Sequence, residues 1–273
     1  MTKLSIITIN FNNTVGLEKT IESVVSQTYS SFEFIVIDGA SSDSSIDIIT
    51  KYSEQITYWV SEKDTGIYNA MNKGIEKATG EYCLFLNSGD YLVSNNILQE
   101  IFKNDFDQDL IAFDVFYQFS NGKRELKTQP NEVNFFFMMR SSLFHPSTLI
   151  KRILFSEFGV YNENLKIASD YDFFLRISII EQAAYKYFPI PITVFDTGGI
   201  SSRNEMLNVI YRERKLIQQK YFTQKIIDAA EVHDKILLSD SYRFISILKK
   251  RKIFYLPLMF VFKIAIGIKR MFN

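Results

Sequence analysis

The stretch EYCLFLNSGDYL, residues 81–92, runs from an apolar segment into Asn87, Ser88, Gly89 and Asp90. A turn accounts for the small residues but not for a carboxylate where a buried strand ends. Two other acids hold similar positions: Asp38 closes FEFIVID, and Asp64 comes just after ITYWVSE. Carboxylates gathered at strand ends can orient a ligand and hold a hard cation. Mg²⁺ and Mn²⁺ take oxygen ligands and often bind through one or two carboxylates plus substrate phosphates. Asp90 is the candidate ligand. Competing chemistries fit less well. NFNNTVG stands where a dinucleotide-binding protein would carry its glycine-rich turn, and no phosphate-binding loop ending in Gly-Lys-Ser/Thr is present. Cys83, His145 and His233 are too few for a thiolate- or imidazole-built metal centre. What remains is a nucleotide pocket without a glycine loop, in which a carboxylate-held cation balances a diphosphate.

The elements that must position these acids alternate along the chain. KLSIITINF and FEFIVIDG read as buried parallel strands, ITYWVSE as a short third and EYCLFLN as a fourth. VGLEKTIESVVSQ and SIDIITKYS read as the helices between them. TGIYNAMNKGIEKATG predicts a helix capped by Asp64 or Thr65 and ended by Gly80. Its apolar face holds Ile67, Ala70, Met71, Gly74, Ile75 and Ala78, and its polar face Asn69, Asn72, Lys73 and Glu76. Such alternation implies a parallel, helix-covered sheet with ligands bound at the carboxyl ends of the strands. Beyond residue 108 the pattern loosens. DLIAFDVFYQF followed by Asn121-Gly122 predicts a strand and hairpin turn. NFFFMMRSSLFHPSTLIKRILF is expected to pack beside the crevice, and ASDYDFFLRI to enter a helix through an acidic turn with Asp172 and Arg176 paired at i, i+4.

With 273 residues and 47% hydrophobic composition, the chain can bury a large α/β core. Its zero net charge conceals an asymmetry: residues 203–273 carry 15 Lys+Arg against 6 Asp+Glu, and the preceding residues 16 against 25. Opposite fields suit different partners. The isolated cysteine suits a reducing cytoplasm, and MTKLSIITIN reads as a first strand rather than a signal peptide. Basic residues 249–252 precede an apolar run, 253–268, that holds Pro257 and Lys263. It is short of the ~20 apolar residues a spanning helix needs. The expectation is a helix in the headgroup region of an anionic leaflet, placing the protein on the inner face of the plasma membrane.

LSIITINFNN, SVVSQTYSSFEFIVIDGASSD, SEKDTGIYNAMNKGIEKATGEYCLFLNSGD and SDYDFFLRI follow one another as in the family-2 glycosyltransferases of the GT-A fold, and the chain resembles these over roughly residues 3–201. The bacterial enzymes of extracellular polysaccharide and O-antigen assembly are the most similar in kind. The resemblance implies an α/β fold of GT-A (Rossmann-like) type, its mostly parallel sheet flanked by helices. A catalytic domain would cover 1–202, and a helical extension with a basic, membrane-associating tail 203–273. It implies that Asp38 and Asp64 contact the donor nucleoside, that Asn69 and Lys73 approach the donor, and that Asp90 binds Mn²⁺ or Mg²⁺. Gly89 stands where relatives often carry a second acid, one that contacts ribose. Asn87 still offers a carbonyl oxygen, and metal affinity without nucleotide should be modest. Asp170 aligns with the base that deprotonates the acceptor; with an ordinary Asp pKa of ~3.9 it would be ionised at neutral pH. Ser169 stands where many relatives have Glu. His145 either faces the diphosphate or acceptor or is a core histidine, and Gly198, Gly199 and Ser201 fall in a loop that resembles the one closing over the diphosphate.

The sequence thus predicts a metal-dependent, inverting glycosyltransferase. Its donor is a uridine diphosphate sugar, or else a guanosine or thymidine diphosphate sugar. Its acceptor is a glycan or a polyprenyl-diphosphate-linked saccharide; nucleic acid is not among the expected partners. The rival reading is a non-catalytic nucleotide-sugar-binding or scaffold protein of the assembly complex.

Overall fold

The computed structural model describes residues 3–199 and 204–238. The chain opens with β1 (Leu4–Asn10), α1 (Thr14–Val25), β2 (Phe32–Asp38), α2 (Ser45–Lys51), β3 (Tyr58–Ser61), α3 (Ile67–Lys77) and β4 (Tyr82–Phe85). β1 pairs in parallel with both β2 and β4, and β2 with β3. β1 and β4 are buried along their whole length, which explains their unbroken apolar character: side chains on both faces of a covered parallel sheet leave water. The next elements are β5 (Tyr91–Leu92), α4 (Ile97–Ile101), β6 (Leu110–Gln118), β7 (Arg124–Lys127), α5 (Phe135–Arg140), β8 (Thr148–Lys151), α6 (Ile153–Phe158), α7 (Ser169–Leu175) and β9 (Tyr185–Asp196). α8 (Leu207–Tyr221) and α9 (Gln224–Leu238) complete the described chain.

The sheet runs β3-β2-β1-β4-β8-β6-β9-β5, with β7 on β6. Its first half is parallel as expected. Its second half is mixed, because β8 runs antiparallel to β4 and β6 while β6 and β9 are parallel. The chain winds outward from β1 to β3 and then returns to place β4 on the other side of β1. This makes a switch point whose strand ends open a crevice. The β6–β7 hairpin forms at Asn121-Gly122, with Gly122 at φ +80° and its N–H donated to Phe119 O.

Local details depart from expectation in three places. The N-cap of α3 is Gly66 (φ +144°) rather than Asp64 or Thr65; the Asp64 carboxylate instead accepts the Gly66 N–H at 3.0 Å. Gly80 lies beyond the C-cap Ala78, and its role is close approach: a Cβ there would come within 2.7 Å of Ser5 N. Asp172 does not pair with Arg176. The α-helix gives way at Arg176 to a π-helical turn, Arg176 donates to Gly159 O at 3.0 Å, and buried Asp172 pairs with Lys220 at 3.4 Å.

Compact units divide the chain between Lys220 and Tyr221. Most of α8 therefore belongs to the first unit, where Glu213 accepts the backbone N–H groups of Lys166, Ile167 and Ala168 at 2.6–3.0 Å. Among the described residues no helix is long and apolar enough to cross a membrane, and the basic tail lies outside them.

Candidate active site

At the carboxyl ends of the strands lie a cavity of about 1150 Å³ and a smaller one of about 310 Å³, which share Ile67, Asn87, Asp90 and Phe195 in their walls. Asp90 faces both. Asp170, from the first turn of α7, faces the smaller one. Carboxylates from both halves of the first compact unit thus border one space.

The turn that carries Asp90 is locked to α1. Thr20 Oγ1 accepts the Gly89 N–H at 2.9 Å and donates to Asp90 O at 2.7 Å. Asp90 is 4% exposed. Burial pushes its carboxyl up to about 7, the charge of Asp196 adds to this, and the Asp196 N–H donated to Oδ1 at 3.0 Å and the Lys19 charge oppose it. A cation beside this carboxylate would offset the cost of its burial. Beside it Asn87 Oδ1 is buried without a hydrogen bond. A hard cation fits this oxygen set. Among the described residues no group of three or more His, Cys, Asp or Glu could hold a metal alone, so the diphosphate of a substrate would have to complete the coordination.

Asp170 is oriented by two donors: the Tyr68 hydroxyl at 3.1 Å and the Tyr171 N–H at 2.9 Å, both to Oδ1. Tyr68 is buried, and burial raises its hydroxyl well above its ordinary value, so it stays protonated and donates. Ser169 is fully buried and accepts the Asn162 N–H at 2.6 Å. His145 lines the smaller cavity, stacked on Phe85 with ring centroids 4.6 Å apart, and its Nε2 is hydrogen-bonded to the Tyr161 hydroxyl at 2.7 Å. Burial lowers it to about 4, against the raising charge of Asp170, so it is neutral at neutral pH. His145 is thus a buried residue at a cavity wall.

The remaining predicted residues divide. Asp64, Gly198 and Gly199 line the larger cavity. Asp64 is raised by burial and by the charge of Asp38, against the Gly66 N–H and Lys73. Asp38 is fully buried and is not part of either wall. Its oxygens accept from Asn10 Nδ2, Ser41 N, Ser41 Oγ and Ser61 Oγ at 2.6–2.9 Å. Burial would raise it, but these donors hold it below the usual range. Asn69 donates to Glu163 at 2.9 Å, and Lys73 pairs with Glu62 at 2.7 Å; neither lines a cavity. Ser201 lies outside the described residues.

Three site residues escaped the sequence reading. Phe11, 64% exposed, presents its ring at the larger cavity, where Gly39 leaves it space. Its position one residue past β1 was the available signal. Tyr68 falls on the buried side of α3, and only its partner reveals its role. Asp196 stands at the end of β9 beside Asp90, in the DTGGIS loop whose glycines drew attention first.

The sheet and the cleft at its strand ends are like those of the GT-A fold. Residues 5–182 match Glycosyl transferase family 2, and the chain belongs to that family. An uncharacterized glycosyltransferase of Mycobacterium tuberculosis is 29% identical over 222 residues, covering 74% of this chain and 78% of its own. A PGL/p-HBAD biosynthesis glycosyltransferase of Mycobacterium bovis is 26% identical over 209 residues, covering 72% and 78%. Among solved structures, S. aureus TarS superposes with a TM-score of 0.64 at 18% identity, over 89% of this chain and 45% of TarS. The mannosyltransferase PcManGT of Pyrobaculum calidifontis, in complex with GDP-Man and Mn²⁺, superposes with a TM-score of 0.56 at 13% identity, over 89% and 82%.

Proposed function

We propose that this glycosyltransferase moves a sugar, with inversion, from a nucleoside diphosphate sugar to a hydroxyl of a glycan or of a saccharide carried on a polyprenyl diphosphate lipid, in cell-surface polysaccharide assembly. Uridine is the first choice of nucleoside, with guanosine and thymidine next. TarS has been solved with UDP-GlcNAc and PcManGT with GDP-Man and Mn²⁺, which supports a nucleotide sugar and a divalent cation here. The observation that carries the reading is that Asp90 and Asp170 border one cavity.

In this reading Phe11 offers its ring face to the nucleobase. Asp64 borders the ribose, and Asp38 acts by holding Asn10 and Ser41 in place under the nucleoside. Asp90 and Asn87 would hold the cation, which would supply positive charge against the diphosphate. Asp170, fixed by Tyr68, takes the proton of the acceptor hydroxyl. As that proton leaves, the oxygen forms a bond to the anomeric carbon. The bond from that carbon to the diphosphate oxygen breaks on the opposite face. His145, uncharged at neutral pH, shapes the wall without adding charge to it. A positioned base of this kind contributes about 10²–10⁴-fold.

The test is release of nucleoside diphosphate from a panel of nucleotide sugars with Mn²⁺ and glycan acceptors, comparing the natural chain with Asp170→Asn. Turnover should fall by about 10²-fold or more while donor binding persists. Donor binding without turnover in the natural chain, and no difference in the variant, would instead establish the scaffold reading.

A further inference from the structure

The backbone explains why no acid stands at position 89. Gly89 has φ +111°, a conformation that side-chain-bearing residues rarely adopt, and its N–H is tied to Thr20. The space beside it is filled from another strand. A Cβ placed on Gly89 would lie 3.5 Å from both Cβ and Oδ2 of Asp196, the last residue of β9. Asp196 donates its N–H to Asp90 Oδ1 at 3.0 Å, and its own Oδ1 accepts the Gly198 N–H at 2.9 Å. Among the described residues its Oδ2 has no hydrogen bond or ion pair. Lys19, whose charge reaches Asp90, forms no salt bridge with either acid and lies over the Tyr91 ring at 3.9 Å. Asp196, Asp90 and Asn87 all line the larger cavity, and the buried Asn87 Oδ1 is unpartnered.

Asp90 and Asp196 share one cavity wall, where their like charges repel, and Lys19 opposes this only at a distance, without an ion pair to either. An arrangement of this kind is stable in its working state when a cation joins the two. We infer that Asp196 is the second carboxylate of the cation site, delivered by the end of β9 where position 89 supplies none, and that with Asp90 and Asn87 it holds a divalent cation completed by the donor's diphosphate. This rests on the metal-dependent reading above.

The test is Mn²⁺ uptake followed by the electron paramagnetic resonance signal of free Mn²⁺, titrating the full chain and Asp196→Asn with UDP, GDP or dTDP present. Asn keeps the shape and the acceptor for the Gly198 N–H, so thermal unfolding in EDTA should be unchanged or slightly raised as like charges are relieved. Mn²⁺ affinity should fall by about tenfold or more, while nucleotide binding in EDTA stays the same. Asp196→Ser, which retains a hydroxyl acceptor without the charge, should lose Mn²⁺ likewise. Mn²⁺ uptake by Asp196→Asn equal to that of the natural chain would overturn the assignment alone. So would an equal loss of nucleotide affinity with and without Mn²⁺, which would make Asp196 a direct nucleotide contact. No uptake by the natural chain with any of the three nucleotides would overturn the metal reading as well.

Discussion

A carboxylate becomes a useful base when one of its oxygens is tied down and the other is left for substrate. Asp170 has this arrangement, since both of its donors converge on Oδ1, and Tyr68 reaches it across 102 residues of sequence. His145, close by, gives a measurable consequence of burial. It is held near 4, against an ordinary value of 6.5. Between those values the unfolded chain binds a proton that the folded chain refuses. Stability through this group is therefore undiminished above about pH 7 and falls as the pH drops from about 6.5 toward 4, by on the order of 3 kcal/mol in full. Urea denaturation at pH 7 and pH 5 should show this loss in the natural chain and a shallower one in His145→Gln. Equal slopes in the two chains would show that His145 is not buried as described.

Elements hold the site through a few polar stitches between apolar strands. Glu33 on β2 is buried yet accepts from Ser5 Oγ on β1 at 2.6 Å, and from Thr79 Oγ1 and Gly80 N, just before β4, at 2.9 and 3.1 Å. Burial acts to raise this carboxyl, but the donors outweigh it and leave it lowered. Its contribution is therefore complete above the unfolded value of 4.5 and disappears as the pH falls through the lower folded value. Glu33→Gln keeps the volume, loses the charge and turns an amide toward donors. It should cost about 1.5–3 kcal/mol at pH 7, narrowing below pH 4, by chemical denaturation. The same stitches keep β1, β2 and β4 in register, so that Asn10, Asp38 and the turn bearing Asp90 end together.

At the scale of the whole molecule the charge is divided, with the acidic excess on the chain that carries the cleft and the basic excess beyond residue 202. The acids of the cleft suit a cation. The basic, apolar tail suits an anionic surface. The full chain should cosediment with vesicles containing phosphatidylglycerol, with binding weakened by salt, whereas a chain ending at Ser241 should remain in the supernatant. Equal partitioning of the two would remove the membrane role from the tail.

Strand and helix alternation, the Asn121-Gly122 turn and the acids at strand ends were all legible in the sequence, because periodicity and turn chemistry are fixed by near neighbours along the chain. The family motifs extended that reading to Asp90 and Asp170. Tertiary structure decided which side chains had partners. It buried Asp38 among four donors, gave Lys73 to Glu62 and Asn69 to Glu163, and took Asp172 from Arg176 to Lys220. It also set Asp196 beside Gly89, against an acid 106 residues away. Such pairings depend on strand register and on which rotamer finds room at a crowded sheet end, and neither is encoded in the spacing of residues along the chain.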